Sequence, residues 1–157
     1  MLSGTVFASN GFVSQVPLPI RHFMSSSPYC IERDQPMSDA HQLMREKRLR
    51  HLPVLASGHL VGVVSAGDLH LLETLHDVDP DLVRVADAMS AEPYSVRPDT
   101  PLHEVVDVMA ANKYGCALVV ETGRVVGIFT TVDALESFAR LLRGQGLLPP
   151  GTSDATG

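Results

Sequence analysis

Two hydroxyl and carboxylate pairs are the side chains whose type and spacing could do chemistry. Ser65 and Asp68 lie in Gly62-Val-Val-Ser-Ala-Gly-Asp68, and Thr130 and Asp133 lie in Gly127-Ile-Phe-Thr-Thr-Val-Asp133. In each, a β-favouring run ends in a hydroxyl residue, and the acid follows three positions later where the pattern turns helical. A helix start offers unpaired N–H groups and a partial positive charge, which suit a phosphate. A carboxylate there can accept hydrogen bonds from ribose hydroxyls. The same spacing is also a capping box, in which the two side chains satisfy the helix's own first N–H groups, and both roles can coexist.

Nothing else nominates a reactive group. The chain has no Gly-x-Ser-x-Gly elbow, no Gly-x-x-x-x-Gly-Lys-Ser/Thr loop and no Cys/His pair connected by spacing, so no enzymatic activity is expected. His22, His41, His51, His59, His70, His76 and His103 form no close pair on one helix, and no metal site is expected. Cys30 and Cys116 are too few for a disulfide framework, which points to a reduced cytoplasmic setting. A formal charge of −6 argues against a broad nucleic-acid or anionic-membrane surface. No run is apolar enough to cross a bilayer, and residues 1–16 lack the basic start of a signal peptide.

The elements that must position the two pairs repeat at an offset of 65 residues without a gap. Met24 matches Met89, Tyr29 Tyr94, Pro36 Pro101, Met44 Met109, Gly58 Gly123, Gly62 Gly127 and Asp68 Asp133. Each copy reads as strand, helix, strand, strand, helix. In the first, a strand around Tyr29-Cys-Ile-Glu32 precedes a helix carrying Met37, Ala40 and Met44 on one face. Leu52–Leu55 and Leu60–Val64 form a hairpin about a tight turn at Gly58, and Ser65 opens a helix with Leu69, Leu72 and Leu75. In the second, Thr100 is expected as N-cap with Pro101 at the first helical position, ahead of Leu102, Val105, Val106 and Met109. The last helix has Leu135, Phe138, Ala139 and Leu142 on one side. The expected division is an N-terminal arm at 1–22, in which Phe12, Val13 and Val16 could form an edge strand or loose arm, then repeats at 23–76 and 85–143 around a polar linker at 77–84, and a frayed tail at 144–157.

These paired features, with Met-Ser and Pro-Tyr before each first strand and Met-Arg-Glu-Lys-Arg-Leu-Arg-His-Leu-Pro-Val over 44–54, resemble a tandem pair of cystathionine β-synthase (CBS) domains, a Bateman module. The resemblance covers roughly residues 23–142. It implies an α+β fold (mixed α/β) of two β-α-β-β-α repeats related by a pseudo-twofold axis, their sheets facing each other. It also implies two clefts for adenosine-containing ligands, dimerisation into a disc, and regulation of an attached or separate protein. No transporter, channel or enzyme domain accompanies the repeats, so a separate protein target is expected, if there is one.

By the same resemblance, each cleft joins the junction of one repeat to early strands of the other. Thr130 and Asp133 would be completed by Tyr29, Ile31 and the Arg50-His51-Leu52-Pro53 segment, whose guanidinium suits a phosphate. The weaker cleft at Ser65 and Asp68 would be completed by Tyr94, Val96 and the 115–118 segment ending in Leu118. There Gly115 stands in place of Arg50, so a phosphate would depend on Arg50 or Lys113 reaching across. The expectation is a cytoplasmic regulatory homodimer that needs no cofactor and senses ATP, ADP, AMP or S-adenosylmethionine. The alternative is a ligand-free dimeric scaffold module.

Overall fold

The computed structural model describes residues 18–75 and 77–149. The arm positions Phe12, Val13 and Val16, together with His76 and the tail from residue 150, lie outside the described residues. A 3-10 turn at Ile20–His22 precedes β1 (Ser25–Ser26), β2 (Ile31–Glu32), α1 (Met37–Lys47), β3 (His51–Ala56), β4 (His59–Ser65) and α2 (Ala66–Glu73). The second half follows as α3 (Val85–Ala88), β5 (Ser95–Val96), α4 (Leu102–Asn112), β6 (Cys116–Glu121), β7 (Arg124–Thr130) and α5 (Thr131–Leu142). The strands form two sheets, ordered β2-β3-β4 and β1-β7-β6-β5. This is the expected α+β architecture of two β-α-β-β-α repeats.

The local chemistry explains the elements. Helices α1 and α4 bury Met37, Ala40 and Met44, and Leu102, Val105 and Met109, the faces expected from their periodicity. Each hairpin turns through two residues with positive φ, Ser57 (52°) with Gly58 (81°) and Thr122 (50°) with Gly123 (78°). That is the backbone of a type I′ turn, whose twist matches the flanking strands.

The start of α4 differs from expectation, and α1 starts the same way, with Pro36 as its N-cap rather than its first helical residue. Pro101, not Thr100, is the N-cap of α4, with extended backbone at ψ 135°. The reason is an antiparallel bridge between Pro19 and Pro101, in which Leu102 N–H donates to the Leu18 carbonyl (2.7 Å) and Ile20 N–H to the Thr100 carbonyl (2.8 Å). The Thr100 hydroxyl instead accepts from Arg97 N–H, closing the preceding turn.

That bridge is half of an exchange between the repeats. Its counterpart joins Pro36 to Arg84, with Met37 N–H donating to the Val83 carbonyl (2.8 Å) and Val85 N–H to the Gln35 carbonyl (2.9 Å). Strand β1 pairs with β7, Ser25 opposite Ile128, and Ser90 bridges Val63 of β4 in the equivalent way. Fully buried Ile20 therefore sits in the second repeat's core with Val105, Ala117, Val119 and Phe129, while fully buried Val85 sits in the first repeat's core with Met37, Leu52 and Val54. Each core is closed by the segment that precedes the other repeat. A glycine permits the close crossing at each bridge: a Cβ at Gly62 would lie 2.6 Å from Met89 Sδ, and one at Gly127 would collide with Met24 Sδ.

Two further packing results concern the C-terminal part. The stretch expected to fray begins by folding back, with Leu147 and Leu148 packed against the second core. Helix α5 turns its small and polar side inward, Ser137 at 3% exposure, and leaves Leu135, Phe138 and Leu142 exposed at 66%, 54% and 71%. The Arg140 guanidinium donates to the buried Ser137 hydroxyl at 3.0 Å.

The exchange gives a quantitative expectation. Ile20→Ala should destabilise the folded chain by about 3 kcal/mol, because it empties a closed core site. Leu82→Ala, at a side chain 81% exposed, should stay within about 0.5 kcal/mol. Denaturant unfolding followed by circular dichroism measures both.

Candidate functional site

Each junction acid is a helix cap. Ser65 N–H and the Ser65 hydroxyl both donate to Asp68 Oδ2, at 2.8 and 2.9 Å, and Asp68 N–H donates back to Ser65 Oγ at 3.1 Å. Thr130 and Asp133 repeat the pattern at 2.7, 2.9 and 3.4 Å. The next amide is also engaged, Ala66 N–H with the Arg50 carbonyl (2.8 Å) and Thr131 N–H with the Gly115 carbonyl (3.1 Å). Among the described residues, this leaves Gly67 N–H as the open donor at the start of α2, and Val132 N–H at α5. Capping fixes both carboxylates and leaves Oδ1 of each without a hydrogen bond among the described residues.

An open cleft of about 300 Å³ lies over the first junction. From the first repeat it takes His51 and Val63 beside Ser65 and Asp68; from the second it takes the 92–94 segment and the 113–116 segment, with Ser90 between. The Tyr94 and Tyr114 rings stack with centroids 5.5 Å apart, an aromatic wall of the kind that accepts a planar base. Lys113 terminates α4 in the left-handed conformation, φ 58°. That backbone is unfavourable for any residue with a Cβ, and it places the ammonium group's residue at the cleft.

Across this cleft His51 packs onto Gly115, where a Cβ would lie 2.6 Å from His51 Nε2. Burial and the Arg50 charge hold the imidazole below its ordinary pKa, with Asp68 pulling the other way. Burial pushes the Cys116 thiol up to about 11, so it is protonated. Burial also raises the Tyr94 phenol, assisted by the Glu104 charge and by Tyr114.

The residues expected to form sites are distributed as follows. Ser65, Asp68 and Tyr94 meet in the described cleft, and His51, expected beside Asp133, lines this one instead. Its register explains why: His51 is the strand partner of Ser65 at the open end of the β3–β4 hairpin. Arg50 is exposed and meets the junction through its carbonyl. Pro53 is buried opposite Val63, Ile31 lies in the first core, and Val96 packs on the second. Leu118 joins Cys116, Ile128, Leu60 and Val63 in an apolar cluster between the repeats. Tyr29 is exposed beneath Lys47 Nζ, 5.0 Å from its ring centroid. Tyr114 and Glu92 of the cleft were not singled out from sequence. An aromatic just past the helix end, where the first repeat has Leu49, is a signal for Tyr114; Glu92 carries none. Among the described residues no group of His, Cys, Asp or Glu side chains could hold a metal ion, and no helix is long and apolar enough to cross a membrane.

The His51 environment predicts a pH dependence. The unfolded chain takes up a proton near pH 6.5 and the folded chain only at lower pH, so this group's contribution is fully present above that range and is lost as pH falls toward the folded value. Denaturation midpoints measured across this interval should fall more steeply for wild type than for His51→Gln. Parallel curves would remove His51 as the cause.

The family model for the CBS domain matches residues 20–71 and 85–140. The A-adding tRNA nucleotidyltransferase of Aquifex aeolicus is 31% identical over 125 residues, 78% of this chain and 14% of that enzyme. The chain thus spans only a small part of that relative. Among solved structures, an acetoin utilization protein of Vibrio cholerae superposes with TM-score 0.72 at 28% identity, covering 82% of this chain and 95% of the other. CBSX2 in complex with AMP gives TM-score 0.70 at 26% identity, covering 80% and 99%. With two matched segments on one pseudo-symmetric fold, the chain belongs to the CBS-domain family, as a tandem pair of such domains.

Proposed function

We propose that this CBS pair is a non-enzymatic regulatory module that binds an adenosyl compound in the Asp68 cleft and signals its presence to a protein partner. The observation that carries the reading is a capped, fixed carboxylate at the foot of a cleft whose opposite wall, with its stacked tyrosines, comes from the other repeat. Asp68 Oδ1 is available to ribose hydroxyls, the tyrosine pair to the base, and Lys113 to a 5′ anion. The AMP complex of the similar CBSX2 supports an adenosine ligand. A ligand spanning both repeats favours one arrangement of the halves only by its difference in affinity between arrangements. Two free thiols, Cys30 and Cys116, suit a cytoplasmic setting.

Equilibrium titration with ATP, ADP, AMP and S-adenosylmethionine tests this directly. At least one should bind, and Asp68→Asn, which keeps a capping oxygen, should weaken it by about tenfold through loss of a charged hydrogen bond. Absence of binding by all four removes the adenosyl reading. Asp133→Asn in the same titration reads the Thr130 junction, a second proposed cleft.

The exposed apolar stripe on α5 supports a homodimer, and it favours a ligand-free scaffold as the second reading. Phe138→Glu should convert the dimer to monomer in sedimentation velocity, since it sets a charge in a buried apolar contact. An unchanged sedimentation coefficient would place the interface elsewhere. A nucleotide-free dimer that binds none of the four ligands would favour the scaffold.

A further inference from the structure

We infer that the Asp68 cleft selects among adenosyl ligands by the charge of the 5′ substituent, favouring a neutral or cationic group over a di- or triphosphate. This rests on the proposed adenosyl reading and specifies its ligand class.

Three features of the cleft carry the inference. First, the α2 start is a poor phosphate nest: Ser65 N–H and Asp68 N–H are used by the cap, Ala66 N–H is used by the Arg50 carbonyl, and Gly67 N–H remains. A helix terminus recognises phosphate through such free amides, and here one is left. Second, the ionised side chains lining the cleft are the Asp68 and Glu92 carboxylates and the Lys113 ammonium. His51 and Cys116 add no charge near neutrality, given their shifts. Third, Gly115 stands where the first repeat has the Arg50 guanidinium, and the space is filled by His51. Exposed Arg50 is not among the lining residues.

One ammonium cannot balance a polyphosphate beside two carboxylates. Each phosphate beyond the first adds repulsion, whereas a thioether adds none and a sulfonium is attracted to the acids. Asp68 offers its carboxylate to the ribose, and the charge it brings opposes a polyanion attached to the same sugar.

Magnesium-free calorimetric titration of the full chain with 5′-methylthioadenosine, S-adenosylmethionine, AMP and ATP decides the question. The thioether and the sulfonium should bind at least about tenfold more tightly than ATP, with AMP between. Added salt should narrow this gap, because screening relieves repulsion. Glu92→Gln should raise the ATP-to-thioether affinity ratio several-fold. Lys113→Gly, which relaxes the φ 58° backbone and so keeps the fold, should lower the AMP-to-thioether ratio. ATP binding most tightly, or a ratio indifferent to Glu92→Gln, overturns the charge rule while the adenosyl reading stands. Failure of all four ligands to bind overturns both.

Discussion

The structure depends on the reciprocal closure of its two cores. Ile20 and Val85 fill equivalent holes, each in the repeat to which its own chain segment does not lead. The backbone pairs that hold them, Leu18 and Ile20 with Thr100 and Leu102, and Val83 and Val85 with Gln35 and Met37, are related by the repeat offset. Burying an aliphatic side chain of this size contributes about 2 kcal/mol, and the pairing fixes where it goes. Neither repeat completes its core alone, so the relative placement of the halves is part of the fold. A cleft built from both halves is therefore shaped by core packing.

Within that frame the twofold relation is broken at two adjacent positions that matter. Residue 50 is Arg and its counterpart 115 is Gly; residue 51 is His and its counterpart 116 is Cys. The glycine makes room for the imidazole, which crosses from the first repeat onto the second. An arginine at 115 would place its Cβ against His51 Nε2, so the two substitutions belong together. They set an imidazole, held below its ordinary pKa, against the position where the first repeat has a guanidinium. The junction acids themselves are equivalent, with nearly identical caps.

The sequence made the repeated elements legible because periodicity, turn glycines and capping residues are local signals. Met37, Ala40 and Met44 mark one face of α1, and Gly58 and Gly123 mark two hairpins, without knowledge of any partner. The exchange was hidden because Leu18 to Ser26 forms only a 3-10 turn and a two-residue strand, too short for any period to register. It also altered its surroundings: Thr100 has an ideal capping side chain, but pairing with the arm held Pro101 extended and moved the helix start. For α5, periodicity identified the side shared by Leu135, Phe138 and Leu142 without revealing whether that side faces core or solvent. The second core, which α5 meets through Ala134, also takes in Ile20, Phe23 and the folded-back Leu147 and Leu148. In the candidate cleft, Ser65 and Asp68 follow from the repeated motif and Tyr94 from the CBS resemblance, whereas the resemblance assigns His51 to the other junction and strand register pairs it with Ser65.

The capping role of the junction acids and their proposed binding role are linked by geometry. A free aspartate at a cleft would sample rotamers and lose entropy on meeting a sugar. Asp68 has already lost that freedom, because Oδ2 is held by both the amide and the hydroxyl of Ser65. The cap is worth about 1 kcal/mol to the fold, and it leaves Oδ1 preorganised. The same bonds consume the amides that would otherwise attract phosphate. A single local device thus fixes one carboxylate oxygen toward the cleft and occupies the helix-start amides, which is the basis of the proposed preference for a sugar diol over a polyanion.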